Sequence, residues 1–202
     1  MSEGAIRATW VGTETYRWLA SDGPRVLVHS GGTRSGKTYN SCIAWAAYLR
    51  EHDERLSIVR KTLPALKASV LKDLIEVLDR MNLYDPERHH HTDKEIEIPG
   101  GGVIDYFPTD DEQKVRGRAR DHLWGNEANE IPEEAWTQLI LRTRDRVMLD
   151  FNPSHDAEHW IVRRYEGSED ATWTRSTYKD NLKHLSDQQV REIEALKHKD
   201  PW

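Results

Sequence analysis

The chain has 202 residues, 37% hydrophobic and 32% charged, with a net charge of −6; that is room for one α/β core and a small appendage, not a second large domain. No run approaches the ~18 apolar residues a membrane span needs, the N-terminus lacks the basic-then-apolar pattern of a secretory signal, and the single cysteine, Cys42, excludes an intrachain disulfide and fits a reducing cytoplasm. The acidic balance argues against a protein that grips nucleic acid over its whole surface. Such contact falls to local basic patches, at Arg60 with Lys61, at residues 114–120, and at Arg142, Arg144 and Arg146, each of which reads equally as a solvated edge.

Residues 25–29 (RVLVH) are a short apolar run entering a glycine-rich segment and read as a buried strand. Beyond Thr38, the residues Tyr39, Ile43, Ala46 and Leu49 recur at helical spacing, which places Cys42 on a helix as a small packed side chain. Residues 56–60 (LSIVR) form a second strand, and Leu66, Val70, Leu74 and Leu78 mark one face of a long helix with Pro64 near its start. His89, His90 and His91 read as a solvent loop, because three adjacent side chains do not easily face one ion. Residues 95–107 alternate, turn at glycine and resume, as a hairpin does.

Leu123 and Trp124 form a brief strand that ends at Asn126 and Glu127, and Pro132 opens a helix carrying Trp136, Leu139 and Ile140. Residues 147–151 (VMLDF) are another buried strand, stopped by Asn152-Pro153. Residues 172–178 alternate as a strand, and Ser186 with Gln189 makes a capping box for a helix running toward Lys199. The eight tryptophans sit mostly at apolar positions and read as core rather than as base-stacking platforms. Strands alternating with helices predict an α/β fold with a mostly parallel central sheet covered on both faces.

Residues 31–38, GGTRSGKT, satisfy the pattern G-x-x-x-x-G-K-[ST] in full, between a predicted strand and a predicted helix. In such a loop Gly31, Gly32, Thr33, Arg34, Ser35 and Gly36 wrap phosphate oxygens with backbone N–H groups, aided by the positive end of the helix dipole. Lys37 reaches the β- and γ-phosphates and Thr38 offers its hydroxyl to Mg²⁺, so the ligand is ATP with Mg²⁺. Arg34 either senses the γ-phosphate or points to solvent. Hydrolysis needs a carboxylate on the attacking water, and Glu127, at a strand end, is placed for it. The position before it commonly carries a metal-holding aspartate; here it is Asn126, whose amide oxygen accepts from a metal-bound water but brings no charge. Asp121 stands too early on the strand to replace it.

The order of motifs resembles the ATPase domain of tailed-phage large terminase subunits, in particular the group that includes the PBSX-like prophage terminases. The likeness rests on GGTRSGKT, residues 58–62 (IVRKT), 99–107 (PGGGVIDYF), 114–117 (KVRG) ahead of 124–129 (WGNEAN), 150–153 (DFNP) and 177–181 (TYKDN), and it spans nearly the whole chain. It implies a P-loop NTPase of the ASCE/RecA-like type, with a core over residues 1–170 and a lid or linker subdomain over 171–202. It also implies a homo-oligomeric ring on the phage portal protein that works with a small terminase subunit and drives double-stranded DNA into a procapsid by ATP hydrolysis. That places the protein in the host bacterial cytoplasm and transiently on the procapsid, away from membranes. An isolated domain of this kind is compatible with a monomer.

By that resemblance Glu127 is the catalytic carboxylate, Arg116 a finger acting on a neighbour's nucleotide with Arg118 as the alternate, and Asn152 part of a coupling turn that touches the γ-phosphate. An ordinary Asn-Pro turn is the competing reading for Asn152. The metal-dependent nuclease domain of full-length relatives is expected to be absent, because the chain stops near Trp202, where the linker to it would start. Two other classes stay open on the residues alone: a RecA-like DNA-dependent ATPase or helicase outside packaging, and a nucleotide-dependent DNA-binding switch with little turnover.

Overall fold

In the computed structural model, which describes residues 6–111, 115, 117, 119–153 and 158–197, the apolar run after Pro24 forms strand β1 (Val26–Gly31), buried along its whole length. It follows helix α1 (Trp10–Leu19) and leads through the glycine-rich loop into helix α2 (Lys37–Leu49). Strand β2 (Arg55–Arg60) comes next, then helices α3 (Leu63–Ala68) and α4 (Val70–Arg80). Strands β3 (His89–His90), β4 (Glu95–Glu97), β5 (Val103–Pro108) and β6 (His122–Gly125) precede helix α5 (Glu133–Ile140). Strand β7 (Val147–Phe151), helix α6 (Trp160–Tyr165), strand β8 (Ala171–Ser176) and helix α7 (Asp187–Lys197) complete the described chain.

The strands join one sheet in the order β3-β4-β5-β2-β6-β7-β1-β8. From β5 to β8 every pair is parallel; the two pairs at the other edge, β3–β4 and β4–β5, are antiparallel. Parallel strands need covering on both sides, and alternate residues divide between two cores. Leu27, Leu56, Ile58, Trp124 and Met148 pack with Trp45, Leu49 and Leu74 from α2 and α4. Val26, Val28, Val59, Leu123 and Leu149 pack with Trp136, Leu139 and Ile161 from α5 and α6. The predicted α/β architecture is the observed one. Trp18, Trp45, Trp124, Trp136 and Trp160 are core residues as expected, whereas Trp10 is 40% exposed.

Four expectations change. The single long helix through residues 66–78 is two helices, broken at Ser69 (φ −120°, ψ −98°), where the Arg60 guanidinium donates to Ser69 Oγ at 2.6 Å and Ser69 Oγ donates to Ala65 O at 2.8 Å. His89 is not in a solvent loop. It is buried in β3 with its ring nitrogens 2.9 Å from the Tyr84 and Tyr106 hydroxyls; no cluster of three or more metal-binding side chains occurs among the described residues. β8 pairs with β1 along residues 171–176, so the sheet continues beyond residue 170, where the core was expected to end.

The fourth concerns the basic patches. Arg120 is buried, donating to Ser57 Oγ at 3.0 Å and Leu139 O at 3.1 Å. Arg146 is also buried; it donates to the carbonyls of Ser21, Gly23 and Pro24 and lies 5.4 Å over the Trp18 ring. Both arginines are internal ties. Arg144 does remain on the surface, 2.9 Å from Asp121. No helix among the described residues is long and apolar enough to cross a membrane.

Candidate nucleotide site

β1, β7 and β6 lie side by side and point the same way, so the residues just past their C-terminal ends gather at one edge of the sheet, the edge at which open parallel sheets bind ligands. From β1 comes the loop 31–38, from β7 Asn152 and from β6 Asn126 and Glu127. One strand separates the loop from Glu127. Adjacent strands are ~4.8 Å apart, so the two strand ends stand about 10 Å apart, with Asn152 at the end of β7 between them.

The loop is shaped by backbone constraints. Arg34 and Gly36 have positive φ values of 65° and 78°, and a Cβ on Gly31 would stand 2.4 Å from Ser176 Oγ. Residues 32–34 are exposed whereas Ser35 and Lys37 are buried; the N–H groups of Gly32 and Ser35 donate to Ser176 O at 3.3 Å and to Gly32 O at 3.2 Å. Arg34 is accordingly on the solvent side. Asn181, from the turn after β8, closes over the loop: its Nδ2 donates to Arg34 O at 3.1 Å, and a Cβ on Gly36 would come within 2.9 Å of its side chain. The same turn holds α1, since Trp10 Nε1 donates to Asp180 Oδ1 at 2.7 Å. Beside the start of α2 opens a cavity of about 450 Å³ lined by Tyr39, Asn40, Glu76, Arg80, Asn181 and His184.

Lys37 Nζ donates to Asn152 Oδ1 at 2.6 Å and to Gly31 O at 3.1 Å, and lies 3.9 Å from Glu127 Oε1. The lysine, the Asn152 amide and the expected base are thus brought together. Glu127 adopts the left-handed conformation with φ 49°, a cost that non-glycine residues meet where function needs a side chain aimed. Burial first, then the Asp150 charge, raise its carboxyl above the usual glutamate range, against the opposing pull of Lys37 and Arg60. A carboxylate shifted in that direction is a better proton acceptor at neutral pH.

Asn126 is 1% exposed; its Nδ2 donates to the two Asp150 oxygens at 3.2 and 3.1 Å, and its Oδ1 is buried with no hydrogen-bond partner. A free, buried amide oxygen suits a hard cation or its bound water. Asp121, by contrast, is at the opposite edge, accepting from Arg55 N at 2.8 Å. The residue not singled out by sequence is Asp150, fully buried on β7 and accepting from Trp124 Nε1 at 2.7 Å and from Glu127 N at 3.4 Å. A charged residue inside an apolar run, VMLDF, was the available signal. Arg116 and Arg118 lie outside the described residues.

Comparison with solved structures shows the same fold in large terminases. The large terminase of a thermophilic bacteriophage superimposes with a TM-score of 0.82 at 18% identity, covering 94% of this chain and 50% of that one. The same phage enzyme in complex with ATP-γ-S gives 0.76 at 19% identity, over 93% and 49%. The ATPase domain of the Thermus phage P74-26 large terminase gives 0.55 at 13% identity, over 88% and 90%. This chain therefore spans about half the length of the first of these proteins. No curated protein sequence matches it. The family model for the phage terminase large subunit matches residues 24–202, and the chain belongs to that family.

Proposed function

We propose that this chain is the ATP-hydrolysing motor of a DNA-packaging terminase, driving double-stranded DNA through a portal into a procapsid. The observation that supports this most directly is the meeting of Lys37, Asn152 and Glu127 at the ends of three adjacent strands, with Glu127 Oε1 3.9 Å from Lys37 Nζ. The loop 31–36 binds the phosphates through its N–H groups and Lys37 carries their charge. Base and ribose occupy the cavity beside the start of α2, lined by Tyr39, Asn40 and Asn181. Thr38 and Asn126 would hold Mg²⁺, which would neutralise charge on the phosphates when bound. Glu127 takes the proton of the attacking water, and Asn152, released from Lys37, reports the γ-phosphate along β7.

Arg116 of a neighbouring copy, with Arg118 as the alternate, completes the site in a homo-oligomeric ring, so that hydrolysis requires packed neighbours. The ring acts on the portal with a small terminase subunit in the bacterial cytoplasm, and residues 177–197 serve as its lid. ATP binding and turnover by Glu127→Gln test the reading. The variant is expected to bind ATP like the wild type and to lose at least ~100-fold in hydrolysis, the lower end for removal of a general base; wild-type turnover would remove Glu127 from its role. Mixing Arg116→Ala with Glu127→Gln chains should restore part of the activity, and no recovery at any ratio refutes the finger in trans.

A further inference from the structure

Trp124 and Met148 are register partners, as are Gly125 and Leu149. One step further along both strands, Asn126 stands beside Asp150, on the sheet face that α2 covers. Cys42 and Trp45 of α2 pack in one core cluster with Trp124 and Met148 on that face. Thr38 lies in the first turn of the same helix.

Asp150 is enclosed by donors: Trp124 Nε1 at 2.7 Å, Asn126 Nδ2 at 3.1 and 3.2 Å, and Glu127 N at 3.4 Å. A carboxylate only accepts hydrogen bonds. The amide of Asn126 must therefore turn its NH₂ toward Asp150, which fixes Oδ1 on the other side, and that oxygen is the buried atom without a partner. A negative charge behind the NH₂ group also polarises the amide, concentrating electron density on the oxygen.

We propose that Asp150 is a positioning residue for the metal of the nucleotide complex: it supplies, from the neighbouring strand, the negative charge that Asn126 lacks, and aims the Asn126 amide oxygen at Mg²⁺ or its bound water. The carboxylate is moved one shell back rather than lost. The proposal rests on the reading of loop 31–38 as an ATP site. It accounts together for the neutral residue before Glu127, the charged residue inside β7 and the unpartnered oxygen between them.

The test is the affinity for ATP-γ-S by titration calorimetry in excess Mg²⁺ and in EDTA, for the wild type, Asp150→Asn and the exchanged pair Asn126→Asp with Asp150→Asn. Wild-type binding should tighten with Mg²⁺. Asp150→Asn should lose about 10- to 100-fold of that tightening, the usual effect of removing an outer-shell partner, with its EDTA affinity unchanged. The exchanged pair keeps one carboxylate against one amide and should recover the tightening. A purely structural role would weaken binding equally in both conditions.

Full Mg²⁺ tightening in a folded Asp150→Asn chain overturns the proposal. Should that chain not fold, the exchanged pair decides, and its failure to tighten with Mg²⁺ is the refuting result. A wild type that binds ATP-γ-S without any Mg²⁺ effect refutes the metal role alone. A wild type that binds none in either condition refutes the nucleotide site itself.

Discussion

His29 sits in β1 two residues before Gly31, 2% exposed, with Nε2 3.4 Å from Thr15 Oγ1 and Nδ1 without a partner. Burial first, and then the Lys37 charge, lower its pKa from 6.5 to about 3. The unfolded chain therefore takes up a proton below pH 6.5 that the folded chain refuses, and stability contributed by the neutral ring is lost as the pH falls through that window. For one such group the slope approaches ~1.4 kcal/mol per pH unit, and integration between pH 7 and pH 5 gives a loss of about 2 kcal/mol. His29→Leu removes the titrating group at similar volume. Thr15 Oγ1 keeps its bond to Val11 O at 2.8 Å, so nothing polar is newly stranded. Urea unfolding at pH 7 and pH 5 should show the wild type losing about 2 kcal/mol more than the variant. Parallel losses in the two proteins would show that His29 is not held neutral.

Glu127→Gln should raise the melting temperature at neutral pH, because its raised carboxyl pKa means that the folded state holds the charged form at a cost; the gain should vanish below the ordinary glutamate range, and a pH-independent difference would contradict the assignment. Arg146→Ala strips the donor from three carbonyls around residues 21–24 and should cost at least ~2 kcal/mol, or ~4–8 °C in Tm for a domain of this size, without changing affinity for DNA. A DNA-binding defect at unchanged Tm would restore the surface-patch reading. Gly125→Ala puts a Cβ 2.5 Å from the Trp136 ring, which is fully buried. Overpacking of this kind costs ~1–3 kcal/mol, measurable by thermal unfolding; no loss would mean that Trp136 moves freely, contrary to its 2.8 Å bond to the Tyr165 hydroxyl.

What the sequence makes legible is what depends on neighbours along the chain. The phosphate loop, the strand ending at Glu127 and the Ser186–Gln189 capping box, which the structure forms reciprocally at 2.9 and 3.2 Å, are all local patterns. Asp150 depends on the register of β6 against β7 over 24 residues, which no local window contains. Arg120 and Arg146 read as surface charges because their acceptors are backbone carbonyls distant in sequence, and a carbonyl leaves no trace in residue type. The break at Ser69 likewise has its partner, Arg60, on a different element.

The turn that carries Asp180 and Asn181 has a mechanical meaning. It grips α1 through Trp10 and the phosphate loop through Arg34 O, while the last sheet strand ends at Ser176. A load applied at α7 thus reaches the phosphate loop and α1 through two hydrogen-bonded side chains before it reaches the stiff sheet. Tension on this turn is thus drawn on the phosphate loop through Arg34 O as well as on the end of β8.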